Sequence, residues 1–120
     1  MRLVDTDVLV EHLRGSPHTT ALLTGDDLHI SVLTRFELLA GMRSAERHVL
    51  RALVDAIPNL AVTTEISVRA GAWAREYRRS HSKIGPIDYL IAATAEVHGA
   101  QLVTQNVKDY PMFPGLEAPF

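Results

Sequence analysis

Short apolar runs alternate with stretches of helical period along the whole chain, and that alternation limits the fold more than any other feature. Leu3-Val4, Leu28-His-Ile30, Leu60-Ala-Val62 and Gln101-Leu-Val-Thr104 read as strands. Between them lie helical patterns: Val8, Leu9 and Leu13, closed by Gly15-Ser-Pro17, and then Phe36, Leu38, Leu39 and Met42, capped by the hydroxyls of Ser31 to Thr34. A third pattern over residues 46–57 sets Val49, Leu50, Leu53, Val54 and Ile57 on one face and stops at Pro58-Asn59. Thr63 opens a long helix through Val68, Ala72, Trp73 and Tyr77, and Gly85-Pro86 opens another that His98-Gly99 ends. The tail, with Pro111, Pro114 and Pro119, is predicted to be irregular apart from a short edge strand near Leu116. This order predicts one α/β domain over residues 1–120, with a mainly parallel central sheet and helices on both faces.

In such sheets ligands bind at the carboxyl ends of the strands. Asp5, Ser31 and Thr104 each follow apolar strand residues directly, so three separated segments can deliver polar groups to one edge. Further oxygen donors stand near strand ends or helix starts: Asp7, Glu37, Asp88, and Asn106 with Asp109. Gly85-Pro-Ile-Asp88 puts Asp88 in the first turn of a helix, where the helix dipole favours its anionic form. Glu37 lies between Phe36 and Leu38, where an unpaired carboxylate is costly. Hard cations such as Mg²⁺ or Mn²⁺ prefer carboxylates and water, and such sites serve phosphodiester chemistry. Taken singly, each acid also has a plain explanation: Asp88 as a first-turn acid, Asp7 as a helix cap, Glu37 as a solvated flank.

Composition narrows the field. The chain has no cysteine, which removes disulfides, thiolate catalysis and Cys-bound zinc. Its six histidines (12, 18, 29, 48, 81 and 98) show no metal-ligand spacing. The formal net charge of -2 offers a polyanion no global attraction, so RNA would need a local basic patch. Arg69, Arg75, Arg78, Arg79, His81 and Lys83 concentrate positive charge just before Asp88. Two readings of that run stand side by side: an RNA-backbone contact through Arg75, Arg78, Arg79 and Lys83, or a solvated helix end favoured by its dipole. Trp73 and Tyr77, one helical turn apart, suit packing or a protein interface. The apolar runs are too short to span a membrane and no signal peptide is apparent, so a cytoplasmic protein is expected.

The motifs Leu3-Val-Asp-Thr-Asp-Val-Leu-Val10, Ile30-Ser-Val-Leu-Thr-Arg-Phe-Glu-Leu-Leu-Ala-Gly41, Ile84-Gly-Pro-Ile-Asp-Tyr-Leu-Ile-Ala-Ala-Thr-Ala95 and Leu102-Val-Thr-Gln-Asn-Val-Lys-Asp-Tyr110 resemble, in order, those of PIN-domain ribonucleases. The nearest resemblance is to the VapC-type toxins of bacterial type II toxin-antitoxin pairs. It implies a three-layer α/β/α fold and a metal-dependent endoribonuclease that hydrolyses RNA with activated water and no covalent intermediate. It also implies an Mg²⁺ or Mn²⁺ site on Asp5, Glu37 and Asp88, with Thr6, Asp7, Ser31 and Thr104 orienting ligands or water, or capping turns. Where many relatives carry a fourth acid this chain has Asn106, and Asp109 is the nearest carboxylate, so either could complete the set. The implied partners are RNA, a cognate antitoxin whose C-terminal segment lies across the active-site groove, and a second copy of the chain. Two other readings compete: a PIN-like scaffold without activity, suggested by Asn106, and a phosphoacceptor receiver domain. The receiver needs an Asp after a central strand, whereas Asp55 falls inside a helical pattern.

Overall fold

In a computed structural model that describes residues 1–120, four parallel strands form one sheet in the order β3-β2-β1-β4. The strands are β1 (Arg2–Val4), β2 (Leu28–Ser31), β3 (Asn59–Leu60) and β4 (Gln101–Val103). The helices are α1 (Thr6–Leu13), α2 (Thr19–Leu22), α3 (Val32–Gly41), α4 (Arg47–Ala56), α5 (Thr64–Tyr77) and α6 (Pro86–His98). Short 3₁₀ turns occupy Ser44–Glu46 and Val107–Asp109. None of the helices is long and apolar enough to cross a membrane.

Side chains alternate across a strand, and here that alternation builds two cores. Leu3 and Leu102 point into one cluster with Ile66, Ala70 and Trp73 of α5 and Ile91 and Ala95 of α6. Val4 and Val103, one residue on, join Val8 and Leu9 of α1, Leu38 of α3, and Leu50 and Val54 of α4 on the opposite face. The expected helix–sheet–helix layering follows, since each layer buries one apolar stripe against one face of the sheet.

Local chemistry fixes most element ends. Asp5, Ser31 and Thr63 are the N-caps of α1, α3 and α5, each side chain accepting a backbone N–H of its helix. Pro86 stands in the first turn of α6, and Gly99 ends it with φ at 62°, a left-handed conformation that glycine adopts without steric cost.

The third strand differs from expectation: it covers Asn59–Leu60 rather than Leu60 to Val62. Asn59 Nδ2 donates to the carbonyls of Val54 and Ile57 at 3.1 and 2.7 Å, so its side chain closes α4 and frees its backbone to pair with Ile30. No strand forms near Leu116. Prolines interrupt the tail, and turn bonds from Phe113 N to the Tyr110 carbonyl and from Leu116 N to the Phe113 carbonyl fold it onto the α5–α6 core instead. Phe36 and Val49 are exposed rather than on core faces, because the buried stripes are Thr34 with Leu38 and Leu50 with Val54, each one turn apart. Helix α2, only four residues long, has no apolar periodicity that would have announced it.

Candidate active site

The direction of strand progression reverses at β1, whose neighbours are β2 and β4, and the chain ends of β1 and β4 meet at that switch. Asp5 follows β1 and Thr104 follows β4, and both are buried. One oxygen of Asp5, Oδ1, accepts the Thr6 backbone N–H at 2.8 Å. The other, Oδ2, accepts two hydroxyls, Thr104 Oγ1 and Tyr110 OH, both at 2.8 Å. Three donors from three residues thus fix the plane of this carboxylate. Burial and the Asp5 charge push the Tyr110 phenol far above its ordinary pKa, so it keeps its proton and serves as a hydrogen-bond donor.

Asp7 does something else. Its Oδ2 accepts the backbone N–H groups of Gln105 at 2.8 Å and Asn106 at 3.1 Å, latching the chain that leaves β4 onto the first turn of α1. Burial and the Asp5 charge raise its pKa, while those backbone donors pull it down. Its Oδ1 accepts the Val8 N–H at 2.9 Å, so it caps its own turn as well as one 98 residues away. Thr6 links two acids, because its backbone binds Asp5 and its hydroxyl donates to Glu37 Oε1 at 2.7 Å. Ser31 is buried as the cap of α3, donating order to the helix that carries Glu37 and touching none of the acids.

Asp88, half-buried at the third position of α6, accepts the Gly85 N–H at 3.3 Å. Its pKa is raised to about 6, first by burial and then by the charges of Asp5, Asp109 and Glu37. The charges of acids from three other segments, Asp5 after β1, Glu37 of α3 and Asp109 of the turn after β4, therefore reach Asp88. Asn106 serves that turn through its backbone alone and leaves its side chain exposed, whereas the half-buried Asp109 contributes its charge to Asp88.

This donor set suits a hard divalent cation, since it offers carboxylates alone and their mutual repulsion already favours a positive guest. No three of these acids stand close enough together to hold an ion by themselves.

The basic residues are less concentrated than their sequence suggests. Arg69 lies over the Trp73 ring at 5.6 Å, and Trp73 packs edge-on against Phe113. Arg75, Arg78 and Arg79 are exposed at the end of α5, while Lys83 lines a groove together with Asp109. Asp55 is exposed on α4 and paired with Arg35 at 2.6 Å, so it does not stand at a strand end as a receiver's phosphoacceptor would.

Tyr110 is the residue that the sequence did not disclose. Its neighbours, Asp109 and Pro111, made it look like the start of an irregular tail. The only available signal was that a tyrosine followed a strand-end motif carrying other polar groups.

Comparison with known proteins gives a consistent kinship. The PIN domain family model matches residues 2–108. The chain is 46% identical over its full length, and over the full length of that protein, to Ribonuclease VapC19 of Mycobacterium tuberculosis. It is 47% identical to Ribonuclease VapC10 of the same organism, covering all of this chain and 93% of that one. Among solved structures it resembles a toxin-antitoxin complex from Klebsiella pneumoniae with a TM-score of 0.82 and 26% identity, covering 100% of this chain and 98% of that one.

Proposed function

This chain belongs to the PIN-domain family, and from that membership we propose that it is an endoribonuclease, the toxin of a toxin-antitoxin pair, that depends on Mg²⁺ or Mn²⁺. The observation that carries the metal-dependent reading is the raised pKa of Asp88, about 6, produced in part by acids from three other segments that face it. Acids so gathered gain little from one another and much from a cation. The residues proposed to hold the ion are Asp5, Glu37 and Asp88, with Asp109 rather than Asn106 as the fourth acid. A bound divalent cation supplies positive charge for the phosphate and makes water a stronger acid.

The chain's own residues do the positioning. Thr104 and Tyr110 occupy Oδ2 of Asp5 and leave Oδ1, with its single donor, as the oxygen with acceptor capacity to spare. Thr6 aligns Glu37 with Asp5, and the Gly85 N–H holds Asp88 at the helix start. The Asp7 latch sets the height of the turn that brings Asp109 in. A proton and a cation compete for Asp88, because both relieve the same repulsion.

The partner side of the reading has its own support. A groove of about 400 Å³ runs from Thr6 and Glu37 along Val10, Leu13, Met42 and Leu50. An extended antitoxin segment with apolar side chains and one basic residue for the acids fits its chemistry. Homodimerisation is proposed on kinship alone.

The test is direct. Antitoxin-free protein is expected to cut RNA with Mg²⁺ or Mn²⁺, to stop with EDTA, and to lose cleavage in Asp5→Asn and Asp88→Asn. Full activity in both variants would refute the site. No cleavage by the parent with any divalent ion would make the chain an inactive scaffold.

A further inference from the structure

Beside the acids lies a second, smaller groove of about 360 Å³, and of its seven lining residues only Ile84 is hydrophobic. Ser80, His81, Lys83, Lys108 and Asp109 form most of its walls. Both lysines are exposed, and neither has a carboxylate within ion-pairing distance, so their charges are free for a ligand. Asp109 belongs to this groove and also acts on Asp88, so the groove opens next to the acidic site.

The lysines are rooted on two bonded turns. His81 N donates to the Tyr77 carbonyl at 2.8 Å and Ile84 N to the His81 carbonyl at 3.2 Å, which fixes the backbone around Lys83. Asp109 N donates to the Asn106 carbonyl at 2.9 Å and Tyr110 N to the Val107 carbonyl at 3.1 Å, which fixes that around Lys108. Tyr110 in turn is anchored on Asp5. A chain of net charge -2 that gathers four acids at its site repels a polyanion unless local cations hold it nearby. Unpaired lysines among hydroxyls, in a groove whose single acid is Asp109, have the chemistry of a phosphate clamp.

We propose that Lys83 and Lys108 form a subsite for the RNA-backbone phosphate that flanks the scissile one, and that Arg75, Arg78 and Arg79, which do not line the groove, take no part in holding it. This rests on the ribonuclease reading above.

The test measures binding of a fluorescein-labelled single-stranded RNA by anisotropy across a salt series, in an Asp88→Asn background. Replacing both lysines (Lys83→Ala, Lys108→Ala) is expected to make the slope of log K against log salt shallower by about 0.7, the value for one phosphate contact on a single strand. The pair Lys83→Arg and Lys108→Arg restores the slope, which separates charge from folding. The triple variant Arg75→Ala, Arg78→Ala, Arg79→Ala and the distant control Arg51→Ala leave it as it was. An unchanged slope in the lysine variant, or a loss confined to the arginine triple, overturns the subsite. Cleavage by the parent is measured in parallel with Mg²⁺. If it cuts RNA while the lysines leave the slope unchanged, only the subsite falls; if it neither binds nor cuts RNA, both readings fall.

Discussion

Thr104 and Tyr110 reach the same oxygen of Asp5 from residues that lie 99 and 105 positions further along the chain. Groups that orient a metal ligand commonly change affinity or activity by about 10- to 100-fold when removed. Tyr110→Phe keeps the buried ring and deletes only the hydroxyl, so it separates orientation from packing. Its Mn²⁺ affinity, read by titration calorimetry, is expected to fall by about tenfold while the circular dichroism spectrum stays native. Unaltered affinity would show that Thr104 and Thr6 suffice to hold Asp5. Asp5 itself was legible in the sequence as an acid at a strand end, but its three donors were not. Asp7 shows the same divide: its proximity to Asp5 was plain, whereas its attachment to Gln105 and Asn106 depends on β4 lying beside β1.

At the scale of the element, caps and breakers made α3, α5 and α6 readable, because these act on neighbours a few positions away. Ser31 illustrates this. It was expected both to cap α3 and to serve the site, and its hydroxyl is engaged with the Leu33 N–H at 3.0 Å. Ser31→Ala is therefore expected to lower the urea-unfolding free energy by about 1 kcal/mol, the usual worth of an N-cap. A loss near zero would mean that water replaces the cap. The elements that were misread have a different cause. Asn59 closes α4 through its side chain while pairing through its backbone, a division of labour that apolar patterning does not encode. The Leu116 segment has strand-compatible residues, yet proline spacing and the contacts of Met112 and Phe113 with the α5–α6 core hold it in turns.

For the molecule as a whole, the site is a place where folding brings like charges together. The folded chain holds the Asp88 proton more tightly than an ordinary aspartate at 3.8 does, since its pKa is about 6. That stabilising contribution is complete below about pH 3.8 and is lost as pH rises through about 6. In EDTA, the melting temperature is therefore expected to rise as pH falls from about 7.5 to about 5, and to rise less in Asp88→Asn. At the upper pH the variant should melt above the parent. Adding Mg²⁺ should then raise the parent's melting temperature and affect the variant less, as ligand linkage requires. If parent and variant respond alike to both pH and Mg²⁺, the acids do not share a common space.

The sequence by itself determined the alternation of strands and helices, the two-sided burial of the sheet, and three of the acids as neighbours of strand ends or helix starts. Each of these rests on periodicity or on contacts within a turn, which a linear string records. Only the tertiary structure decided that Tyr110 binds Asp5, that Asp7 latches the turn after β4, that Asp109 rather than Asn106 bears on Asp88, and that Lys83 and Lys108 line one groove. Those pairings follow from strand order, which is chosen by the burial of many side chains at once and leaves no mark on any one stretch of sequence.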